Sequence, residues 1–131
     1  MNYKVVIVDD DPMMLFLHRN LISKSGVCPD PITFLNGEEA LEYLMEQPLG
    51  TSCYTILLDL NMPVMNGWQL LEELKEKPIS AVIDVAIVSS SIDKRDRDKA
   101  FEYPIVTAYL PKPFYNIEEV RKMKNRRLVK E

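Results

Sequence analysis

Along this 131-residue chain, aspartates, a lysine and a hydroxyl each stand where an apolar run stops. Val5-Val6-Ile7-Val8 runs into Asp9-Asp10-Asp11, and Ile56-Leu57-Leu58 closes on Asp59. The run ending at Val88 is followed by Ser89-Ser90-Ser91, and Leu110-Pro111 by Lys112-Pro113-Phe114. A carboxylate at the mouth of a buried strand is costly unless it is compensated. In an open α/β sheet, ligands sit beyond the carboxyl ends of the strands, so parallel neighbours would bring these residues to one edge. Carboxylates crowded there raise one another's pKa unless a cation intervenes. Hard oxygen donors favour Mg2+, which takes one or two carboxylates together with phosphate oxygens. Asp59 kept ionised in that setting is a nucleophile for phosphorus and would form an aspartyl phosphate. Lys112 and Ser89 could then neutralise or hydrogen-bond the equatorial oxygens of the transferring group.

Strands and helices alternate in the pattern needed to place these groups. Apolar runs lie at Val5–Val8, Tyr54–Leu58, Val82–Val88 and Thr107–Leu110, with a weaker one at Ile32–Leu35. The strongest are continuous, as expected of strands covered on both faces. Pro12–Ser25 reads as a helix with Met13, Leu17 and Leu21 on one face, capped by Asp11, opened by a first-turn proline and stopped by Gly26. Asn36 with Glu39 resembles a capping box for a helix through about Met45. Asn66 can cap a helix carrying Leu70, Leu71 and Leu74, Asp93 a short charged one, and Asn116 with Glu119 the last. Such alternation implies right-handed βαβ units and a three-layer α/β sandwich around a parallel sheet.

Length is that of one domain, residues 1–131, with no repeat or linker. A net charge of −4 argues against nucleic acid or an anionic membrane as partner. The basic residues Arg121, Lys122, Lys124, Arg126, Arg127 and Lys130 read as a solvated helix face. Two cysteines without metal spacing, no stretch near the ~20 apolar residues of a membrane span, and a start that runs directly into a strand point to a cytoplasmic protein.

Together the segments Val-Asp9-Asp10-Asp, Asp59-x-Asn61-x-Pro63-x-x-Asn-Gly67, Val88-Ser89-Ser90 and Lys112-Pro113-Phe114 resemble the receiver domain of two-component response regulators, over essentially the whole chain. The resemblance implies a doubly wound, five-stranded parallel sheet of flavodoxin-like order 2-1-3-4-5. It implies that Asp59 accepts a phosphoryl group from a sensor histidine kinase or a histidine phosphotransfer protein. Asp10 and Asp59 would ligate Mg2+ directly, Asp9 largely through water and Asn61 through its carbonyl. Lys112 would pair with the phosphate ahead of a cis Pro113, with Ser89 and Ser90 beside the phosphoryl oxygens and Tyr109 changing rotamer as Ser89 moves. Readout would fall to the fourth helix, last strand and last helix, near Asp93–Tyr103, Tyr109 and Tyr115–Arg127, toward a downstream protein or a phosphorylation-dependent homodimer. Ser at position 89 and Asn at position 66 stand where Thr and Asp are commoner.

Rival readings attach to the same residues. A haloacid-dehalogenase-like phosphatase also uses an Asp nucleophile, but on the first strand and with an acid two residues later, where this chain has Asn61. A degenerate receiver would only bind partners, and a flavodoxin expects hydroxyls and glycines where Asp9-Asp10-Asp11 stand. Asp11 reads as a cap, His18 as structural or exposed, and Tyr109 in isolation as an ordinary half-buried aromatic.

Overall fold

Each continuous apolar run becomes a strand covered on both faces. The computed structural model describes residues 2–48, 52–77, 79, 82–91 and 93–129, without the side chains of 127–129. Strands β1 (Asn2–Val8), β2 (Ile32–Phe34), β3 (Ser52–Leu58), β4 (Val82–Ser89) and β5 (Val106–Pro111) alternate with helices α1 (Pro12–Ser25), α2 (Gly37–Met45), α3 (Gly67–Glu76), α4 (Lys94–Phe101) and α5 (Glu118–Val129). All pairings are parallel and the order is β2-β1-β3-β4-β5, as expected. The central β3 is buried at every position, whereas the edge strand β5 buries only alternate residues.

Two apolar layers sandwich the sheet. On one face Val6, Val8, Ile56, Leu58, Val85 and Ile87 pack against Leu41 and Leu44 of α2 and Leu70, Leu71 and Leu74 of α3. On the other, Val5, Ile7, Leu57, Ala86 and Val88 meet Leu15 and Ile22 of α1 and Val120 and Met123 of α5. Burying each such aliphatic side chain stabilises the fold by roughly 1.5–3 kcal/mol.

Helices start at the residues the sequence suggests, with two differences in how they are capped. The reciprocal capping box expected at Asn36 and Glu39 forms instead at Asn66 and Gln69, and Asn116 caps through Glu118 rather than Glu119. The Asp11 side chain accepts the Met13 amide, Pro12 opens the first turn, and Gly26 closes α1 at φ 83°. Asn36 accepts the Glu39 amide at 2.9 Å. The reciprocal capping box forms at α3, where Asn66 accepts the Gln69 amide and the Gln69 side chain accepts that of Asn66. Asp93 caps α4, and Asn116 accepts the Glu118 amide at the start of α5.

One face of α1 lies differently from the apolar pattern. Met13 and Leu17 are exposed and Leu21 only half-buried, while Leu15, His18 and Ile22 turn inward. Apolar residues occur on more than one side of this helix, so their spacing does not select the buried side. The basic residues of α5 are not uniformly solvated either. Lys124 is half-buried and donates to the Val27 carbonyl at 2.7 Å, and the Arg127 side chain and Lys130 lie outside the described residues.

Val64, in the loop after β3, holds φ at 70° and is 72% exposed. A β-branched residue in the left-handed region is an outlier that costs about 1–2 kcal/mol. Asparagine tolerates that region, and no apolar burial is lost in the exchange. Val64→Asn is therefore expected to raise the thermal midpoint by about 3–5 °C, as read by circular dichroism melting.

Candidate functional site

Register delivers the acidic and basic residues to one edge. Val8 lies beside Leu58 and Ser89 beside Pro111, so Asp9, Asp59 and Lys112 follow directly on paired strand ends. Backbone bonds continue the ladder past those ends: Asp9 N–H to Phe34 O at 3.1 Å, Asp59 N–H to Val8 O at 3.0 Å and Lys112 N–H to Ser89 O at 3.0 Å. Asp59 thus lies beyond the third strand, not the first, contrary to the phosphatase-like arrangement.

Asp9 and Asp59 are buried and Asp10 is exposed. Each offers a carboxylate oxygen within 4.8 Å of the others. Lys112 Nζ spans the two buried acids, 3.0 Å from Asp9 Oδ2 and 3.2 Å from Asp59 Oδ2. Three carboxylates against one ammonium leave an excess of two negative charges. Burial and the neighbouring Asp9 push the Asp59 carboxyl up, against the opposing pull of Lys112. Burial works against the Lys112 ammonium, but Asp9 and Asp59 outweigh it and hold the lysine above its ordinary value. An all-oxygen cluster with uncompensated negative charge suits a hard divalent cation.

The remaining candidates surround this cluster. The Asn61 amide donates to Asp59 Oδ1 at 3.3 Å. Ser89 is buried and its Oγ accepts the Ser91 amide at 3.0 Å, while Ser90 is exposed. The Ser91 hydroxyl donates to Asp96 at 2.8 Å and so ties this loop to α4. Ser89, Ser90, Tyr109, Lys112 and Arg97 line a cleft of about 370 Å³. The Lys112-Pro113 peptide is cis, as expected. Asp11 serves as the cap and donates its amide to Asp9 Oδ1 at 2.9 Å.

Two structural supports were not evident from spacing. A Cβ on Gly67 would stand 2.6 Å from the Asp59 carbonyl oxygen and 2.7 Å from Leu60 Cα, so only glycine lets α3 start against the loop that carries Asp59. His18, buried in α1, accepts the Phe114 amide through Nε2 at 3.3 Å and packs on the Phe114 ring, centroids 4.6 Å apart. That places a neutral imidazole directly behind the Lys112-Pro113 segment. Ninety-six positions separate the partners, and no local motif announces the pair.

Comparison with known proteins agrees with this geometry. The family model described as the response regulator receiver domain matches residues 5–125. The transcriptional regulatory protein CiaR of Streptococcus pneumoniae is 35% identical over 118 residues, which are 90% of this chain and 48% of CiaR. The chain likewise spans only 30% of the Helicobacter pylori chemotaxis protein CheV1, at 29% identity. Among solved structures, a response regulator receiver protein from Dyadobacter fermentans superposes with TM-score 0.83 at 32% identity, covering 95% of this chain and 96% of its own. A two-component response regulator from Cytophaga hutchinsonii gives 0.81 at 28%, with 97% of each chain covered. With the fold, the edge cluster and these matches in hand, the chain belongs to the response regulator receiver domain family.

Two outcomes test the electrostatics. Burial lowers the His18 pKa from 6.5; Asp9 opposes that and Lys112 adds to it. The unfolded chain therefore takes up a proton near pH 6.5 that the folded chain resists. The His18 contribution is complete above that pH and is lost as pH falls below it toward the lowered folded value. Asp59, with its raised carboxyl, acts in the opposite sense at lower pH, so the difference between wild type and His18→Gln isolates the histidine. Denaturant titrations from pH 7.5 to 5 should show a shallower loss of stability in His18→Gln. Separately, Lys112→Met leaves two buried acids without their ammonium. It should destabilise by about 3 kcal/mol at pH 7 and move the Asp59 carboxyl still higher, as read by carboxyl carbon NMR.

Proposed function

We propose that the chain is a Mg2+-dependent phosphoryl acceptor and acts as a signalling switch rather than a turnover enzyme. The observation that carries this reading is the buried Asp59 carboxylate, held 3.2 Å from Lys112 Nζ within a three-aspartate cluster. The donor is a phosphohistidine on a sensor histidine kinase or histidine phosphotransfer protein. An Asp59 carboxylate oxygen forms the new P–O bond while the donor's P–N bond breaks, and the imidazole leaves with that electron pair and is protonated. Mg2+ held by Asp9, Asp10, Asp59 and the Asn61 carbonyl would offset the negative charge of both acid and phosphoryl oxygens. Lys112 exchanges part of its hold on Asp59 for a phosphoryl oxygen. Ser89 keeps a hydroxyl proton to donate, and Ser90 lies beside it at the mouth of the cleft.

Phosphorylation adds about −1.5 to −2 charges at this edge. Recruitment of Ser89 and Lys112, with reorientation of Tyr109, then shifts the populations of α4, β5 and α5. That face would meet a downstream protein in the cytoplasm. Among the described residues, no helix is long and apolar enough to cross a membrane.

Incubation with acetyl phosphate and Mg2+ should produce one acid-labile phosphate per chain on Asp59, seen as a mass gain. It should be abolished in Asp59→Asn and by chelation of the metal. Absence of the adduct in the metal-replete wild type would leave a receiver that binds partners without accepting phosphate.

A further inference from the structure

The Tyr109 hydroxyl is buried without a hydrogen-bond partner among the described residues. A hydroxyl in that position has given up water for nothing in return, so some other contact must hold the ring inward. Arg97, from α4, supplies one. Its guanidinium lies 5.8 Å from the Tyr109 ring centroid and 5.4 Å from that of Phe101, one helical turn further along the same helix. Phe101 is 41% exposed and so leaves the guanidinium room to bridge the two rings. Arg97 also lines the cleft that Tyr109 shares with Ser89 and Lys112.

We propose that Arg97 is a positioning residue that clamps the Tyr109 ring inward, so that its hydroxyl faces the Ser89 cleft before any phosphoryl group arrives. Phe101 pre-orients the clamp, because a guanidinium already stacked on one ring is placed to cover the second. A cation over an aromatic ring at a partly exposed site changes an equilibrium by about two- to fivefold. The unpartnered hydroxyl opposes it by at least as much. The inward position of Tyr109 is therefore weakly held, and a modest signal suffices to move it. A lysine would substitute only in part, since a compact ammonium on a flexible stem can cover one ring but cannot lie flat across two. This inference rests on the reading of Asp59 as a phosphoryl acceptor and deepens it, by naming what sets the resting position of the switch tyrosine.

The test uses the full chain labelled with 3-fluorotyrosine, the Tyr109 fluorine signal being assigned with Tyr109→Phe. The solvent isotope shift between water and heavy water reports ring exposure. It should be small for Tyr109 in the wild type, grow toward that of the exposed Tyr115 in Arg97→Ala, and remain intermediate in Arg97→Lys and Phe101→Ala. Affinity for beryllofluoride, a phosphoryl mimic, should fall about two- to fivefold in Arg97→Ala. In a Tyr109→Ala background the same substitution should change it little. An unchanged Tyr109 signal in Arg97→Ala overturns the clamp. So does an equal loss of affinity in the Tyr109→Ala background, which would mean that Arg97 acts on the anion directly. Failure of the wild type to bind beryllofluoride would count against the acceptor reading alone, because the fluorine comparison needs no ligand.

Discussion

The ammonium of Lys112 between the carboxylates of Asp9 and Asp59 is the contact on which the rest of the edge depends. Its geometry is set by strand order. Asp9 and Asp59 follow adjacent strands, but Lys112 follows β5, two strands from β3. Neighbouring strands are about 4.8 Å apart, so the ammonium must cross roughly 10 Å of sheet edge. Only a long side chain with a terminal charge spans that gap, and it must pass the end of β4. The residue there is Ser89, small enough to leave the path open and polar enough to face a charged neighbourhood. Lysine and serine at these two positions are thus linked by one spatial requirement.

A second constraint reaches the same lysine from behind. His18 can accept the Phe114 amide only while its Nε2 lone pair is available, which fixes the proton on Nδ1. The imidazole sits in apolar surroundings against the Phe114 ring, where a positive charge would be poorly solvated. The turn bearing Lys112 is therefore anchored by a neutral group on α1 and loaded by negative groups at its tip. Gly67 does a related task for Asp59, letting α3 approach the peptide that presents the acid. Rigid elements, not loops alone, hold both ends of the ion pair.

How much of this is legible in the chain follows from whether the determinants are local. Apolar runs such as Ile56-Leu57-Leu58 disclose buried strands, and Asp59 and Lys112 stand out because charges end those runs. Asp11, Asn66 and Asp93 disclose helix starts through contacts within three residues. The inward side of α1 is not legible, since Met13, Phe16 and Leu17 are as apolar as Leu15 and Ile22 yet remain exposed. Nor is the service of His18, whose partner is distant in sequence, or the cover that Arg97 places over Tyr109. Gly67 is conspicuous in sequence, but its reason, contact with the Asp59 carbonyl, exists only in three dimensions.

The parallel order β2-β1-β3-β4-β5 has a temporal side. During synthesis the acids at positions 9, 10 and 59 emerge well before the lysine at 112, and parallel pairing needs long-range closure before any contact rewards it. Until β5 docks, the nascent edge carries acid without base. A chain interrupted before that strand would own the Asp59 carboxylate but lack its balancing charge and its anchor to α1. The charge balance of this edge is therefore acquired last, with the final strand, and until then the chain carries an uncompensated acidic cluster.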